Sequence, residues 1–238
     1  MTKLKTNKLP RFERFSKIIG EDSLAILSSK TVLVLGCGGV GGYVIEALAR
    51  SNIGSLILVD FDLVEESNIN RQISALTSTI GQKKIEVLEK RILDINPNCK
   101  VYKIDSFIDS SNIETLFDQP IDYLVDACDT ISTKKEVIRE CLKRGIPFLS
   151  SMGTGNRLDP SKLEIVEIRK TKGDPLARIL RKFVKDEKIN QKIMVLCSSE
   201  EPIKTHDRTP GSTSFVPSSA GLLIASTIVN EFIKKHLN

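Results

Sequence analysis

The sequence lacks the features that mark metal-binding, secreted and membrane proteins. Its 238 residues include no tryptophan, two histidines and five cysteines. No two cysteines form a CxxC pair, so we expect no cysteine-ligated zinc, and their wide spacing fits buried thiols in a reducing compartment. The N-terminus has no apolar core of a secretory signal. The longest apolar stretch near the C-terminus, 220–229, is too short to span a bilayer and predicts a buried helix. We therefore expect a cytoplasmic protein without a membrane partner.

The composition is that of a protein with a hydrophobic core. Hydrophobic residues make up 40% of the chain and charged residues 27%, which excludes the composition of a disordered chain. A chain of this length buries most of its apolar surface without disulfides or structural metal. The net charge of +5 is mildly basic. It permits an RNA or nucleotide partner without requiring one.

Alternating strands and helices predict an α/β fold. Continuous apolar runs at 31–35 and 55–59 are typical of buried parallel strands, and a glycine turn and a helix at 40–52 lie between them. Gly54 is predicted to close that helix. Further strands are predicted at 101–104, 121–126 and 146–151, and further helices at 82–95 and 131–144. We therefore predict a doubly wound, mostly parallel, Rossmann-like sheet.

The character of the sequence changes after residue 153. A strand is predicted at 163–168, and Asp174 is predicted to cap a basic helix that begins at Pro175. The polar stretch 188–212 is predicted to be loop. Because no linker divides the chain, we predict one domain over 1–238. Its parts are an N-terminal helical segment (1–30), a nucleotide-binding core (31–152) and a C-terminal substrate and dimer part (153–238).

The turn after the first strand predicts a phosphate-binding site. Gly36, Gly38 and Gly41 have the GxGxxG spacing, with Gly39 between them. Glycines there allow backbone N–H groups to approach a phosphate at a helix N-terminus. Asp60 follows about 20 positions on, where a carboxylate hydrogen-bonds a ribose hydroxyl. The motif does not by itself distinguish NAD from ATP, and a merely structural turn is the alternative.

A long polar segment after Asp60 favours ATP over a dinucleotide. A dehydrogenase needs this loop only for the adenosine half of its cofactor. Here the loop carries a cluster of polar side chains predicted to contact the nucleotide, namely Asn68, Asn70, Arg71 and Gln72. Arg71 can fork onto phosphate oxygens, and the amides can hold either the nucleotide or the guanidinium.

Charged residues at two further places fit a bound triphosphate. Lys83 and Lys84 lie in the first turn of the predicted helix 82–95, where each cation opposes the helix dipole by about 0.3–1 kcal/mol. A bound polyanion would offset that cost, whereas a solvated lysine pair is the alternative. Asp126 and Asp129 follow a strand whose carboxyl end faces the ligand crevice. A carboxylate among cations suits Mg²⁺ on a triphosphate, although either residue could simply cap the next helix.

Together these motifs resemble the E1-like adenylating superfamily of ThiF, MoeB and HesA. The resemblance runs from about Arg11 to the C-terminus. It is carried by the glycine turn, Asp60, Ser67–Gln72, Lys84 and the pair Asp126 and Asp129. Within the superfamily, five stretches resemble the tRNA threonylcarbamoyladenosine dehydratase branch: 11–20, 94–99, 152–160, 174–178 and 210–217.

The resemblance implies an E1-like C-terminal extension and an ATP-dependent cyclisation of N6-threonylcarbamoyladenosine at position 37 of tRNA. The carboxylate of the threonylcarbamoyl group attacks the α-phosphate of ATP and forms an acyl-adenylate. The neighbouring carbamoyl group then closes onto the activated carbonyl and expels AMP. This second step is intramolecular, so no covalent nucleophile on the protein is needed.

The resemblance also implies roles for individual residues. Arg71 and Lys84 would stabilise charge on the phosphates together with the glycine-loop amides. Asp60 would hold the ribose, and Asn70 and Gln72 would position the nucleotide or the guanidinium. The acidic residue at 129 would handle Mg²⁺.

Two more implications concern partners. Arg14 matches the superfamily arginine that reaches into the partner subunit's ATP site, so a homodimer is expected. Relatives that use sulfur-relay partners carry an extra cysteine-containing stretch near the C-terminal helix, and 205–211 contains no cysteine. We therefore expect no sulfur-relay partner. Cys197 lies where some relatives keep a transfer cysteine, and we predict an ordinary buried or surface thiol instead.

Basic residues outnumber acidic ones between 169 and 192. Four of them on the predicted helix are candidates for tRNA phosphate contacts, namely Arg178, Arg181, Lys182 and Lys185. A solvated helix face is the ordinary alternative. Three other functions also remain compatible with the sequence. They are E1-like activation of a small sulfur-carrier protein, an NAD-binding dehydrogenase or sensor, and a nucleotide-binding adaptor without catalysis.

Overall fold

The computed structural model describes residues 10–205 and 209–237 of the chain. Residues 1–9 of the predicted N-terminal segment and 206–208 of the predicted loop lie outside the described residues. The strands are β1 (Thr31–Leu35), β2 (Ser55–Val59), β3 (Lys100–Ile104), β4 (Tyr123–Asp126), β5 (Phe148–Ser151), β6 (Leu163–Glu167) and β7 (Met194–Ser198). The α-helices are α1 (Glu13–Ile19), α2 (Glu21–Leu27), α3 (Gly41–Arg50), α4 (Lys84–Ile95), α5 (Ile131–Arg144), α6 (Pro175–Asp186) and α7 (Phe215–Leu237).

The strands form a sheet with the order β3-β2-β1-β4-β5-β7-β6. All neighbouring pairs are parallel except β6 and β7, which are antiparallel at one edge. The predicted doubly wound, mostly parallel α/β fold is therefore confirmed. The chain winds in one direction from β1 to β3 and in the other from β4 onward, so the carboxyl ends of β1 and β4 part and open a crevice.

Helices cover both faces of the sheet, which is why its central strands are continuously apolar. Successive side chains of β1 enter opposite layers. Val32 and Val34 pack with α2, α3 and α7, whereas Leu33 and Leu35 pack with α5 and the opposite face of β2. The predicted C-terminal buried helix is confirmed as part of α7, where Ile224 and Ile228 are fully buried. This is the one helix in the described ranges that is long and apolar enough to cross a membrane, and half of that stretch is buried in the protein.

Two sequence-based predictions are wrong. The stretch 188–212 is not all loop, because β7 lies within it and pairs with both β5 and β6. Its short apolar run is flanked by polar residues, and it becomes a strand only through these two neighbours. Gly54 does not cap α3, which ends at Arg50 before a left-handed Asn52. A side chain at Gly54 would put Cβ 1.9 Å from the carbonyl oxygen of Ser28, so close backbone approach explains this glycine.

The position of β7 predicts that its side chains matter for stability. Leu196 is fully buried, whereas Leu222 on α7 is 49% exposed. We expect Leu196→Ala to lower the free energy of unfolding by about 2–5 kcal/mol through lost packing and a residual cavity. The control Leu222→Ala should change it by less than about 0.5 kcal/mol. Urea unfolding followed by circular dichroism measures both, and equal effects of the two variants would contradict the burial of β7 within the sheet.

Candidate functional site

A cleft of about 650 Å³ lies at the carboxyl ends of the parallel strands, where the topology opens the crevice. The glycine turn after β1 forms its floor. The segments that follow β2, β4 and β5 form its walls, together with Leu176 of α6 and the segment Thr209–Ser212. The cleft therefore brings together most of the residues that were predicted to bind a nucleotide.

The glycine turn is shaped by two backbone approaches that only glycine allows. Gly36 has a φ of +88°, and a Cβ there would lie 2.8 Å from the carbonyl oxygen of Ala127 at the end of β4. A Cβ on Gly41 would lie 1.8 Å from the carbonyl oxygen of Gly36. The first residues of α3 are thus held tightly against the turn.

Three of the four predicted glycines line the cleft. Gly36, Gly38 and Gly39 face it, and Gly39 also packs against Pro217 at the start of α7. Gly41 was predicted to bind the nucleotide, but it does not line the cleft and instead packs beneath the turn. The correction has a simple reason, since the third glycine of the motif serves close packing of the helix on the turn.

Asp60 joins the glycine turn to the loop after β2. One carboxylate oxygen accepts a hydrogen bond of 2.7 Å from the backbone N–H of Cys37, and the other accepts one of 2.8 Å from the backbone N–H of Asp62. Each oxygen keeps acceptor capacity for a further donor. Because Asp60 lines the cleft, a ribose hydroxyl can supply that donor.

Arg71 reaches the cleft as part of a small polar network. Its Nη1 donates to the carbonyl oxygen of Ser67 at 2.7 Å and to Oδ1 of Asn70 at 2.8 Å. Asn70 does not itself line the cleft, and its Nδ2 donates to the carbonyl oxygen of Ser212 at 3.0 Å. Of the two roles predicted for Asn70, the geometry fits positioning of the guanidinium rather than contact with the nucleotide.

Two neighbouring amides differ in how their polar groups are used. Asn68 is buried and its Oδ1 accepts from the backbone N–H of Glu65, which shapes the loop although the residue also lines the cleft. Gln72 is 8% exposed, and its Oε1 has no hydrogen-bond partner among the described residues. An unsatisfied buried acceptor costs about 1–3 kcal/mol. A donor from a ligand or a water is the natural partner for Gln72.

Lys84 is the buried cation of the cleft. Only 5% of the residue is exposed, and its Nζ lies 2.6 Å from Oδ2 of Asp62. Asp62 also lines the cleft and was not identified from the sequence, although it stands two residues after Asp60. Lys83 is the residue before α4 and pairs with Asp105, outside the cleft lining. The two adjacent lysines therefore have different environments, and of the two Lys84 alone lines the cleft.

The two acidic residues after β4 separate in the structure. Asp129 is exposed and lines the cleft. Asp126 was predicted to contact the nucleotide, but it is fully buried and does not line the cleft. Its carboxylate accepts from the hydroxyl of Ser150 at 2.8 Å and pairs with Lys134. The side chain points beneath the sheet end rather than out of it, which corrects the prediction.

Lys134 was not identified from the sequence, because an α5 lysine looks like a solvated residue. In the structure it is fully buried, and its Nζ lies 3.0 Å from both carboxylate oxygens of Asp126 and 2.9 Å from the carbonyl oxygen of Ser151. It thus joins α5 to the ends of β4 and β5. The residues immediately after those ends, including Asp129 and Met152, line the cleft.

The thiols near the cleft are not activated. Burial raises the pKa of Cys37 far above its ordinary value, although Lys84 opposes the shift. Burial raises the pKa of Cys197 to about 11 and also raises that of Cys128, which borders the cleft. These thiols are protonated at neutral pH and are poor nucleophiles. Across residues 10–205 and 209–237, no group of three His, Cys, Asp or Glu side chains is placed to hold a metal by itself.

The remaining predicted residues lie outside the cleft. Arg14 is exposed on α1. Arg178, Lys182 and Lys185 are exposed on α6, as a contact with RNA requires. Arg181 differs, because its Nη1 donates to the carbonyl oxygen of Thr171 at 2.8 Å and the residue is partly buried.

Comparisons with known proteins agree with this geometry. The ThiF family model matches residues 12–235. A tRNA threonylcarbamoyladenosine dehydratase of Bacillus subtilis is 41% identical over 243 residues, which are 95% of this chain and 96% of that protein. Crystal structures of an E. coli tRNA N6-threonylcarbamoyladenosine dehydratase, TcdA, in complex with ATP and in complex with AMP superpose with a TM-score of 0.89. Each is 31% identical, over 94% of both chains.

The buried pair of Lys134 and Asp126 predicts a large effect of removing one partner. Lys134→Met should lower the free energy of unfolding by about 3–5 kcal/mol, since it leaves an uncompensated buried carboxylate. The double variant Lys134→Met/Asp126→Asn should recover part of that loss. Lys90→Met, on an exposed position of α4, serves as the control with an effect below about 0.5 kcal/mol. Equal urea midpoints for Lys134→Met and Lys90→Met would contradict a supporting role for the pair.

Proposed function

The chain belongs to the ThiF family, and from that premise we propose that it is an ATP-dependent tRNA threonylcarbamoyladenosine dehydratase. The family predicted from the motifs is confirmed by the match over residues 12–235. The activity is supported by a nearly full-length relative of that name and by the similarity to a dehydratase solved with ATP and with AMP. The observation in this chain that carries the proposal is one cleft that joins a glycine turn, Arg71 and the buried Lys84.

The residues present fit a nucleoside triphosphate. A Cβ on Gly38 would meet nothing closer than the Gln72 amide at 3.7 Å, which leaves room for a phosphate beside the turn. Gln72 Oε1 is a buried acceptor without a partner among the described residues, and Lys84 and Arg71 supply positive charge. ATP supplies an α-phosphate that the substrate carboxylate can attack, which converts a poor leaving group into AMP. Asp60 would hold the ribose, and the two cations would stabilise charge that develops on the phosphates.

The reaction balances as the loss of one water from the modified nucleoside. A threonyl carboxylate oxygen bonds to the α-phosphorus as pyrophosphate leaves. The carbamoyl group then attacks the activated carbonyl carbon and loses a proton. The C–O bond to the phosphate breaks, and AMP leaves with the former carboxylate oxygen. The protein holds the reacting groups together and supplies positive charge, and its raised thiol pKa values fit a mechanism without a cysteine nucleophile.

We extend the proposal to the metal, the compartment and the RNA surface. Asp129 is an exposed carboxylate of the cleft that, unlike Asp62, does not face Lys84, and it would hold Mg²⁺ that accompanies ATP. The enzyme would act in the cytoplasm on tRNA. The exposed cations of α6, Arg178, Lys182 and Lys185, would contact tRNA phosphates.

We also propose a homodimer in which Arg14 serves the partner's cleft. Arg14 is exposed on α1 and is absent from the cleft of its own chain. Ile18, one helical turn further, leaves 83% of its surface exposed, which is unusual for a large apolar residue and fits a surface covered in an assembly. A twofold arrangement would give each cleft one arginine from the other protomer.

The proposed activity predicts a specific product and a lysine-specific loss. The purified protein with ATP, Mg²⁺ and threonylcarbamoyl-modified tRNA should yield a nucleoside lighter by one water, with AMP and pyrophosphate as co-products. Lys84→Met should lower kcat/KM by at least about 100-fold, because a cation facing the phosphates is lost. Nucleoside mass spectrometry and pyrophosphate release measure both.

Lys83→Met is the matched control for that experiment. Lys83 is adjacent in sequence but pairs with Asp105 outside the cleft, so this variant should stay within about threefold of the parent enzyme. Absence of the dehydrated nucleoside would overturn the proposed function. If a carrier protein with a Gly-Gly end were adenylated instead, the sulfur-carrier alternative would replace it.

The homodimer predicts complementation between two inactive variants. Arg14→Ala and Lys84→Met should each be impaired alone. In a mixed dimer, the cleft of the Arg14→Ala chain keeps Lys84 and receives Arg14 from its partner. After co-refolding, about a quarter of the sites should regain activity, because half of the dimers are mixed and one site in each is intact. Lys17→Ala is the control on α1. No recovery on mixing, or a monomer by light scattering, would contradict this arrangement.

A further inference from the structure

An ion pair between Arg157 and Asp174 is buried between the cleft and the basic helix α6. Nη2 of Arg157 lies 3.0 Å from Oδ2 of Asp174, and each side chain is only 1% exposed. Neither residue lines the cleft. The pair is therefore not available to a nucleotide or to tRNA, and its charges act only on the protein around it.

Asp174 uses its two carboxylate oxygens for different neighbours. Oδ1 accepts a hydrogen bond of 2.8 Å from the backbone N–H of Ala177 and so caps α6, whereas Oδ2 faces Arg157. Pro175 is the first residue of the helix. Capping requires only one side-chain oxygen, so an aspartate or an asparagine at this position would cap the helix without Arg157. Arg157 adds a fixed direction for the start of α6, because it holds the second oxygen.

Arg157 in turn connects α6 to the cleft wall. Its Nη1 donates to the carbonyl oxygens of Ser198 and Glu200, at and beyond the end of β7. The turn before it, Gly153–Gly155, lines the cleft. A Cβ on Gly153 would lie 3.4 Å from Oδ2 of Asp174, so the pair lies next to that turn. The guanidinium thus ties the sheet end, the cleft wall and the first turn of α6 into one unit.

The helix that the pair anchors runs outward from the cleft. Leu176 in its first turn lines the cleft. Arg178, Lys182 and Lys185 follow at helical spacing and are exposed. In the described part of the chain none of these three forms an ion pair with a carboxylate, so their charge is available to an anion. Twelve residues of α6 span about 18 Å, the length of several backbone phosphates.

A buried ion pair is a poor device for stability alone, since well-packed apolar residues of similar volume often serve as well or better. A fixed spatial relation between two surfaces needs directional contacts, and this pair supplies them. We propose that Arg157 and Asp174 are positioning residues. They hold the basic face of α6 in register with the cleft, so that RNA phosphates bound along that face deliver the modified nucleoside to the reaction site. This inference rests on the proposed function.

The test compares two ways of losing tRNA affinity. One variant, Arg157→Met/Asp174→Asn, removes the pair but keeps a capping side chain. The other, Arg178→Ala/Lys182→Ala/Lys185→Ala, removes the charges of the helix face. We expect each to raise the tRNA KM by about tenfold and to reduce the salt slope of tRNA binding by about one for each lost phosphate contact. Affinity for ATP should stay within about twofold in both.

The decisive measurement is the combination of the two variants. If the pair acts through α6, adding Arg157→Met/Asp174→Asn to the helix-face variant should change tRNA affinity by less than about twofold. Additive losses, or unchanged tRNA affinity in the pair variant, would overturn the inference. The matched control is Arg91→Met/Glu46→Gln, which removes an Arg–Glu pair between α3 and α4 and should leave tRNA binding unchanged.

A second variant covers the case in which the double substitution does not fold. Arg157→Gln/Asp174→Asn keeps the cap, removes both charges and leaves an amide that can donate to the carbonyl oxygens that Arg157 holds, and it should show the same selective loss of tRNA affinity with ATP affinity retained. Equal losses for both ligands would overturn the inference. Measurements on the parent enzyme distinguish a failure of the positioning role from a failure of the proposed function. If it dehydrates tRNA while the losses are additive, only the positioning role fails, whereas if it neither binds nor dehydrates tRNA, both fail.

Discussion

The close approach of the glycine turn to the end of β4 is the constraint on which the site depends. Because Gly36 has no side chain, the turn lies against Ala127 and brings the loops after β1 and β4 together. Residues from distant parts of the sequence then face one cleft, including Arg71 and Asp129. Lys134 and Asp126 support this junction from beneath, with a buried contact that also reaches the end of β5. Backbone packing at this junction therefore determines the positions of the charged side chains in the cleft.

Around the cleft, the cations of Arg71 and Lys84 are held by neighbouring acceptors, and the carboxylate of Asp60 holds the backbone of the glycine turn. Asp60 fixes two backbone N–H groups, and Asp62 faces Lys84 from 2.6 Å. A cation held in place by its neighbours needs little rearrangement when an anion binds. The C-terminal part is arranged in the same way, since Asp174 is buried against Arg157 while Arg178, Lys182 and Lys185 of α6 are exposed to solvent.

The sequence predicted the secondary-structure elements and the fold class more accurately than it predicted which polar side chains are buried. The spacing of apolar residues and the glycines that interrupt it predicted β1, β2 and α5 with their observed bounds. These signals are local in the sequence. β7 was missed since its pairing partners are distant in sequence. In the site, strand-end position placed Asp129 in the cleft but could not show that Asp126 turns beneath it. Which face of a strand end is buried depends on the helix packed against it, and that information is not local.

The side-chain amide of Asn70 makes one hydrogen bond as an acceptor and one as a donor. Its oxygen accepts from Arg71, and its nitrogen donates to the carbonyl oxygen of Ser212. A carboxylate of the same shape cannot replace it, because it would set two acceptors against each other at Ser212. Spontaneous deamidation of this exposed asparagine would therefore break its contact with Ser212 while tightening the hold on the guanidinium. The segment Thr209–Ser212 would then be held by Asn156 through Gly211 and no longer by the loop that carries Arg71.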